Sequence, residues 1–128
     1  MYDEVWSWAG KFRKSEKNIG VSWFKISVEL KILLDDIKYW IENKTFLPDE
    51  IAIRFKHRLV SIHCFPNGNG RHARIMADII IETIFEKELF TWNASNMVKP
   101  DKIRKKYITT LKQADNGNIK PLIKFARN

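Results

Sequence analysis

With 128 residues, 45% of them hydrophobic, the chain suits one domain with one sizeable core and is too short for two ordinary ones. That apolar share also argues against general disorder. The 23 Lys and Arg outnumber 15 Asp and Glu, and the resulting charge of +8 favours phosphates, nucleotides, nucleic acid or acidic partners without choosing among them.

Lys14 to Trp23 resists a helical reading, and Gly20 with the polar residues before it predicts a loop or small hairpin. From Ile26 to Asn43, apolar residues at Ile26, Leu30, Leu33, Leu34, Ile37 and Ile41 make the stripe of an amphipathic helix. Pro48 followed by Asp49 and Glu50 predicts a helix start, and the stripe Ile51, Phe55, Leu59, Ile62 carries that helix to His63. It stops around Pro66, Asn67 and Gly68. A third helix begins near Gly70 and shows a wide apolar face of Ala73, Met76, Ala77, Ile80, Ile81 and Ile84. This face predicts the centre of the fold. Leu89 to Trp92 suits a short extended piece. Pro100 and Asp101 start a helix carrying Ile103, Tyr107, Ile108 and Leu111; Asp115 to Asn118 is a turn, and Pro121 starts a last short helix through Phe125. The expected fold class is all-α, a helical bundle with a short β-hairpin, in a single domain over residues 1–128.

Cys64 is the only cysteine, so no intrachain disulfide forms, and no Cys/His cluster has zinc-finger spacing. The N-terminus lacks the apolar core of a signal peptide, and no apolar run is long enough to cross a bilayer. The expected setting is cytoplasmic and reducing, without a membrane. His57 and His72 read as surface residues.

The chemistry concentrates in His63-Cys64-Phe65-Pro66-Asn67-Gly68-Asn69-Gly70-Arg71-His72-Ala73-Arg74. A glycine-bearing loop leaves one helix and opens another, whose first turn offers unpaired N–H groups and a partial positive charge. Gly68 and Gly70 let the backbone approach an anion closely. Arg71 and Arg74, three residues apart, share a helix face and suit phosphate oxygens. His63 stands beside this cradle, and its imidazole can take a proton from an attacking hydroxyl. Asn67 offers an amide oxygen to magnesium, which prefers oxygen ligands and bridges phosphates. Each residue also has a plainer role open to it. A histidine at a helix end can be a cap, Pro-Asn-Gly-Asn-Gly can be a turn, and Arg74 with Asp78 has the spacing of a surface ion pair. The combination within one short segment points to polyphosphate chemistry.

This segment resembles the Fic motif, His-x-Phe-x-Asp/Glu/Asn-Gly-Asn-Gly-Arg-x-x-Arg, at every fixed position when Asn is accepted at the fifth. The stretches WAGKFR, NIGV and ADNGNIKPLIKFAR extend the likeness to Fic (Fido) proteins of the mobile mystery protein B type over nearly the whole chain. The resemblance implies a Fic-type bundle and AMP transfer from Mg²⁺-ATP to a Ser, Thr or Tyr hydroxyl on a segment of a target protein. His63 would be the general base and Phe65 the anchor of the loop. Asn67 would sit at the metal position. Gly68, Asn69 and Gly70 would form the anion hole, with Arg71 and Arg74 on the phosphate tail. Tyr107 resembles a residue of the nucleotide pocket. Lys17, Asn18, Ile19, Gly20, Val21 and Ser22 would form the flap that docks the target.

Asn67 departs from the Asp or Glu of many relatives, and a neutral amide attracts a dication less. Cys64 stands where related motifs often have Pro, and a packed thiol suits it better than a nucleophile. No Ser or Thr is followed four residues later by Glu, so the self-inhibitory helix of many Fic proteins is not encoded here, and restraint would fall to an inhibitory partner protein. Relatives carry a longer N-terminal helix ahead of Met1 to Gly10. Doc-like relatives transfer the terminal phosphate, but their loop resembles Ala-Asn-Lys rather than Gly-Asn-Gly. Another nucleoside triphosphate donor stays open. A basic nucleic-acid module is the non-catalytic alternative, disfavoured because the basic residues are spread along the chain. A scaffold with a decayed site is disfavoured by the intact His63, Arg71 and Arg74. The oligomeric state is not readable.

Overall fold

The stripe read on the first helix becomes its buried face: Ile26, Leu30, Leu33, Leu34 and Ile37 are all in the core, with Ile41 packed at its edge. The computed structural model describes residues 23–65, 68–93 and 99–128. A 3₁₀ turn (Trp23–Lys25) leads into α1 (Ile26–Asn43), followed by α2 (Pro48–Ile62) and α3 (Asn69–Ile79). A π-helical stretch (Ile80–Ile84) prolongs α3, and α4 (Pro100–Asp115) and α5 (Lys120–Arg127) complete the bundle. No strand occurs among the described residues. The hairpin expected over Lys17 to Ser22 lies outside them.

Helix α1 ends at Lys44, which turns left-handed (φ 51°) so that the Thr45 N–H reaches back to the Trp40 carbonyl at 3.1 Å. Pro48 then opens α2 in the first turn, with Asp49 and Glu50 at the positive end of the helix dipole. Helix α2, rather than α3, occupies the centre: it packs against α1, α3 and α5. The reason is the width of its buried surface. Ala52, Ile53 and Lys56 join the expected Ile51, Phe55, Leu59 and Ile62. Arg58 pairs with Asp36 of α1, and His57 pairs with Asp115 of α4 at 2.7 Å. His57 thus links two helices through an exposed pair at the surface.

Ala73, Met76, Ala77, Ile80 and Ile81 face the core as read. The run Ile79-Ile80-Ile81 is β-branched, which crowds an α-helical turn. Here the helix widens: the Phe85 N–H bonds to the Ile80 carbonyl and that of Lys87 to the Ile81 carbonyl. Ile84, expected on the buried face, is rotated outward and exposed. Ile108 of α4 is also exposed, and Thr110 and Ala114 fill the buried face instead.

The segment Leu89 to Trp92, expected as a short extended piece, forms no regular element. Its N–H groups satisfy the end of α5: Thr91 and Trp92 both donate to the Ala126 carbonyl, at 3.0 and 2.8 Å. The Asn93 amide donates to the Phe125 carbonyl at 2.6 Å. Arg127 forks onto the Asp49 carboxylate (2.8 and 2.7 Å) and donates to the Glu88 carbonyl, while its guanidinium lies over the Phe90 ring. These bonds hold the segment against the bundle and deliver Trp92 to its interior.

Candidate anion-binding site

Helix α2 stops because His63 takes a left-handed conformation (φ 56°, ψ 58°), its N–H bonding to the Leu59 and Val60 carbonyls. That conformation costs a residue with a Cβ about 1 kcal/mol and reverses the chain at the histidine. Cys64 follows and is buried, as a packed thiol should be. Phe65 packs against the core and meets the edge of His72 at 4.8 Å. Burial lowers the His72 pKa to about 4, so His72 is a neutral packing partner and not the surface residue expected.

The loop between the helices is closed by one side chain. The Phe65 N–H donates to Asn69 Oδ1, and Asn69 Nδ2 donates to the Phe65 carbonyl, both at 2.9 Å. Sequence reasoning assigned Asn69 only a backbone role; the buried amide is also a two-way clamp across the loop. Gly68, left-handed at φ 76°, caps α3, and the His72 N–H bonds to its carbonyl at 3.0 Å. A Cβ on Gly70 would meet nothing within 4 Å. The space beside it is a cavity of about 230 Å³ lined by Gly70, Arg71, Arg74 and Tyr107. Of the expected phosphate residues, the fold brings these four together. It places Gly68 and Asn69 at the start of the same helix and His63 at the far end of the loop. Asn67 and Lys17 to Ser22 lie outside the described residues. The described lining is cationic and holds no carboxylate, and no cluster of three His, Cys, Asp or Glu suited to a metal occurs among the described residues. It therefore suits an anion and does not by itself suit a divalent cation.

Two residues at the site were not anticipated. Lys56 is fully buried, bonds the Tyr107 hydroxyl, and lies over the Trp92 ring at 5.3 Å and the Tyr107 ring at 4.7 Å. Burial, and then the neighbouring Arg74 charge, lower its pKa to about 7. The Arg74 guanidinium lies over Trp92 at 4.7 Å and Tyr107 at 5.7 Å. The ion pair that its spacing to Asp78 suggested does not form. Burial raises the Asp78 pKa; the Trp92 indole N–H, short of a full hydrogen bond, and Arg74 only partly oppose it. Burial also raises the Tyr107 pKa, against the pull of Arg74.

The sequence profile of the Fic/DOC family matches residues 1–81, which include the whole segment from His63 to Arg74. The protein named "Protein adenylyltransferase Fic" from Aedes aegypti is 28% identical over 119 residues, covering 91% of this chain and 22% of that protein. Its namesake from Drosophila virilis is 27% identical over 119 residues, covering 91% of this chain and 23% of its own length. The chain thus spans between a fifth and a quarter of the length of these curated relatives. No solved structure matches it significantly. Among the described residues no helix is long and apolar enough to cross a membrane. With the motif, the cavity at the first turn of α3 and the profile in agreement, the chain belongs to the Fic/DOC family.

Proposed function

We propose that this chain is the core of a protein adenylyltransferase, which moves AMP from ATP onto a Ser, Thr or Tyr hydroxyl of a target protein and releases pyrophosphate. The observation that carries this reading is the cavity between Gly70, Arg71, Arg74 and Tyr107, at the N-terminus of a helix whose preceding loop begins at His63. The name of the relatives supports it at the level of reaction class.

His63 accepts the proton of the target hydroxyl as its oxygen bonds to the α-phosphorus. The bond from that phosphorus to the β-bridging oxygen breaks, and pyrophosphate leaves with the electron pair. Such transfers need positioning and charge stabilisation more than covalent help. Backbone N–H groups around Gly68, Asn69 and Gly70, with Arg71 and Arg74, hold the phosphate tail, and Tyr107 forms the opposite wall. Magnesium would arrive with the nucleotide and neutralise phosphate charge, with Asn67 as its protein ligand. The flap from Lys17 to Ser22 is assigned to target docking, regulation to an inhibitory partner protein, and the setting to the cytoplasm.

The test uses ATP labelled on the α- or the γ-phosphate, with cell extract and magnesium, beside His63→Ala. Label retained from α-ATP alone, and reduced by about two to four powers of ten in the variant, is the expected result. Full activity in His63→Ala removes it as the base. Retention from γ-ATP means phosphate transfer instead.

A further inference from the structure

Behind the anion cavity two cations share two aromatic faces. Lys56 and Arg74 each lie over both Trp92 and Tyr107. Among the described residues neither cation has a carboxylate within ion-pair reach. Both rings are fixed from outside the stack. Trp92 is tied through its N–H to the Ala126 carbonyl and packs on Phe90, with ring centres 5.4 Å apart. Tyr107 is held by the Lys56 bond to its hydroxyl and packs on Phe125, also at 5.4 Å.

The chemistry of this arrangement differs from that of an ion pair. A carboxylate fixes a guanidinium by occupying its N–H donors, whereas a ring face holds the cation and leaves those donors for another acceptor. Arg74 lines the cavity while resting on the rings and reaching the Tyr107 hydroxyl, so it is oriented without being neutralised by an ion-paired carboxylate among the described residues. Lys56 adds a second positive charge just behind it. Such a pair of cations, with no ion-paired acid among the described residues, complements a multiply charged anion.

We propose that Trp92 and Lys56 are positioning residues for the phosphate tail of the nucleotide: Trp92 is the platform that holds Arg74 toward the cavity, and Lys56 holds the Tyr107 face in place through its hydroxyl. This rests on the reading of the cavity as the nucleotide phosphate site.

The experiment measures calorimetric binding of ATP and of inorganic tripolyphosphate, together with KM and kcat for transfer. The proteins are wild type, Trp92→Leu, Trp92→Phe, Lys56→Met and Arg74→Ala, with Trp92→Leu and Lys56→Met each also combined with Arg74→Ala. Trp92→Leu should weaken binding of both ligands and raise KM by about 3- to 30-fold, as loss of a buried cation–π contact implies, with kcat changed less. Trp92→Phe keeps a ring face and should recover most of the loss. With Arg74→Ala in place, Trp92→Leu should add less than about twofold, because there is no guanidinium left to position. Lys56→Met should raise KM in wild type and much less beside Arg74→Ala, and it carries the test if Trp92→Leu does not fold. Unchanged binding in both single variants, or losses of equal size with and without Arg74, overturns the positioning roles. A folded wild type that binds neither ligand overturns the nucleotide reading as well.

Discussion

Lys56→Met should make the protein more stable at neutral pH while weakening its site. The native Lys56 pKa lies near 7 against 10.5 for the free side chain. At 1.36 kcal/mol per unit, burying this ammonium beside Arg74 disfavours its charged form by about 5 kcal/mol. The variant loses the bond to the Tyr107 hydroxyl, about 1 kcal/mol, and a further part of the gain to imperfect packing. Methionine keeps the length and apolar stem of lysine and needs no counter-charge. The expected gain is about 1–3 kcal/mol near pH 6.5, or roughly 3–12 °C in Tm for a domain of this size. Linkage fixes the direction with pH. Between about pH 7 and 10.5 the unfolded chain keeps the Lys56 proton that the native chain has lost, so wild-type stability rises with pH across this window. The variant should lack that rise, and its advantage should shrink toward pH 10. Of the titratable groups facing Lys56, the Tyr107 hydroxyl is pushed above its ordinary value of 10.0 by burial, so it adds no transition of its own over the measured pH range. Urea unfolding followed by circular dichroism, at several values between about pH 6.5 and 9.5, measures both quantities. A variant less stable than wild type near pH 6.5, or two parallel pH profiles, would refute the reasoning.

Three further substitutions separate folding from chemistry. Gly70→Ala should stabilise α3 by about 0.5–1 kcal/mol, since its Cβ meets nothing in the fold, yet it should weaken ATP binding about tenfold by shading the cavity floor; thermal melts and calorimetry check the two halves. Asn69→Asp removes the donor to the Phe65 carbonyl and sets a charge against it, so unfolding should show a loss of about 1–3 kcal/mol, with a fall in transfer rate. Asp49→Asn breaks the fork from Arg127, the first cause of the lowered Asp49 pKa. Because that pKa is depressed, the wild-type advantage of about 1–2 kcal/mol should be complete above about pH 4 and vanish as pH falls through the native value, which acid titrations of the two proteins compare directly.

The helices were legible because their signals are local. Pro48 and Pro100 sit in first turns, the α1 stripe fixes one face, and Asp115 to Asn118 closes α4 at a left-handed Gly117. The cradle was legible for the same reason, since Gly68, Gly70, Arg71 and Arg74 are neighbours in the chain. Lys56 left a readable trace. With Ala52, Phe55 and Leu59 it follows helical spacing on the buried face, but a lysine in such a stripe reads as an interruption. Trp92 left none, because its place is set by hydrogen bonds to α5, remote in sequence. The exposed Ile84 was not readable either, as periodicity counts assume α geometry through the π-helical stretch.

The expected pair between Arg74 and Asp78 is the instructive miss, because its absence gives the site its charge. Spacing four apart on one helix favours contact, and a formed pair would have neutralised the arginine. Trp92 lies beside both partners. Its face carries the guanidinium, and its indole N–H lies toward the Asp78 carboxyl. Burial raises the Asp78 pKa and so weakens the one acid near the stack. Arg71 and Arg74 at the cavity, and the buried Lys56 behind it, are then left without an ion-paired carboxylate among the described residues. A bundle selected only for stability would close the ion pair and replace the lysine. This one keeps both positions unfavourable, and on the proposed reading of the cavity a bound polyphosphate would relieve them, the trade expected where binding and stability compete for the same residues.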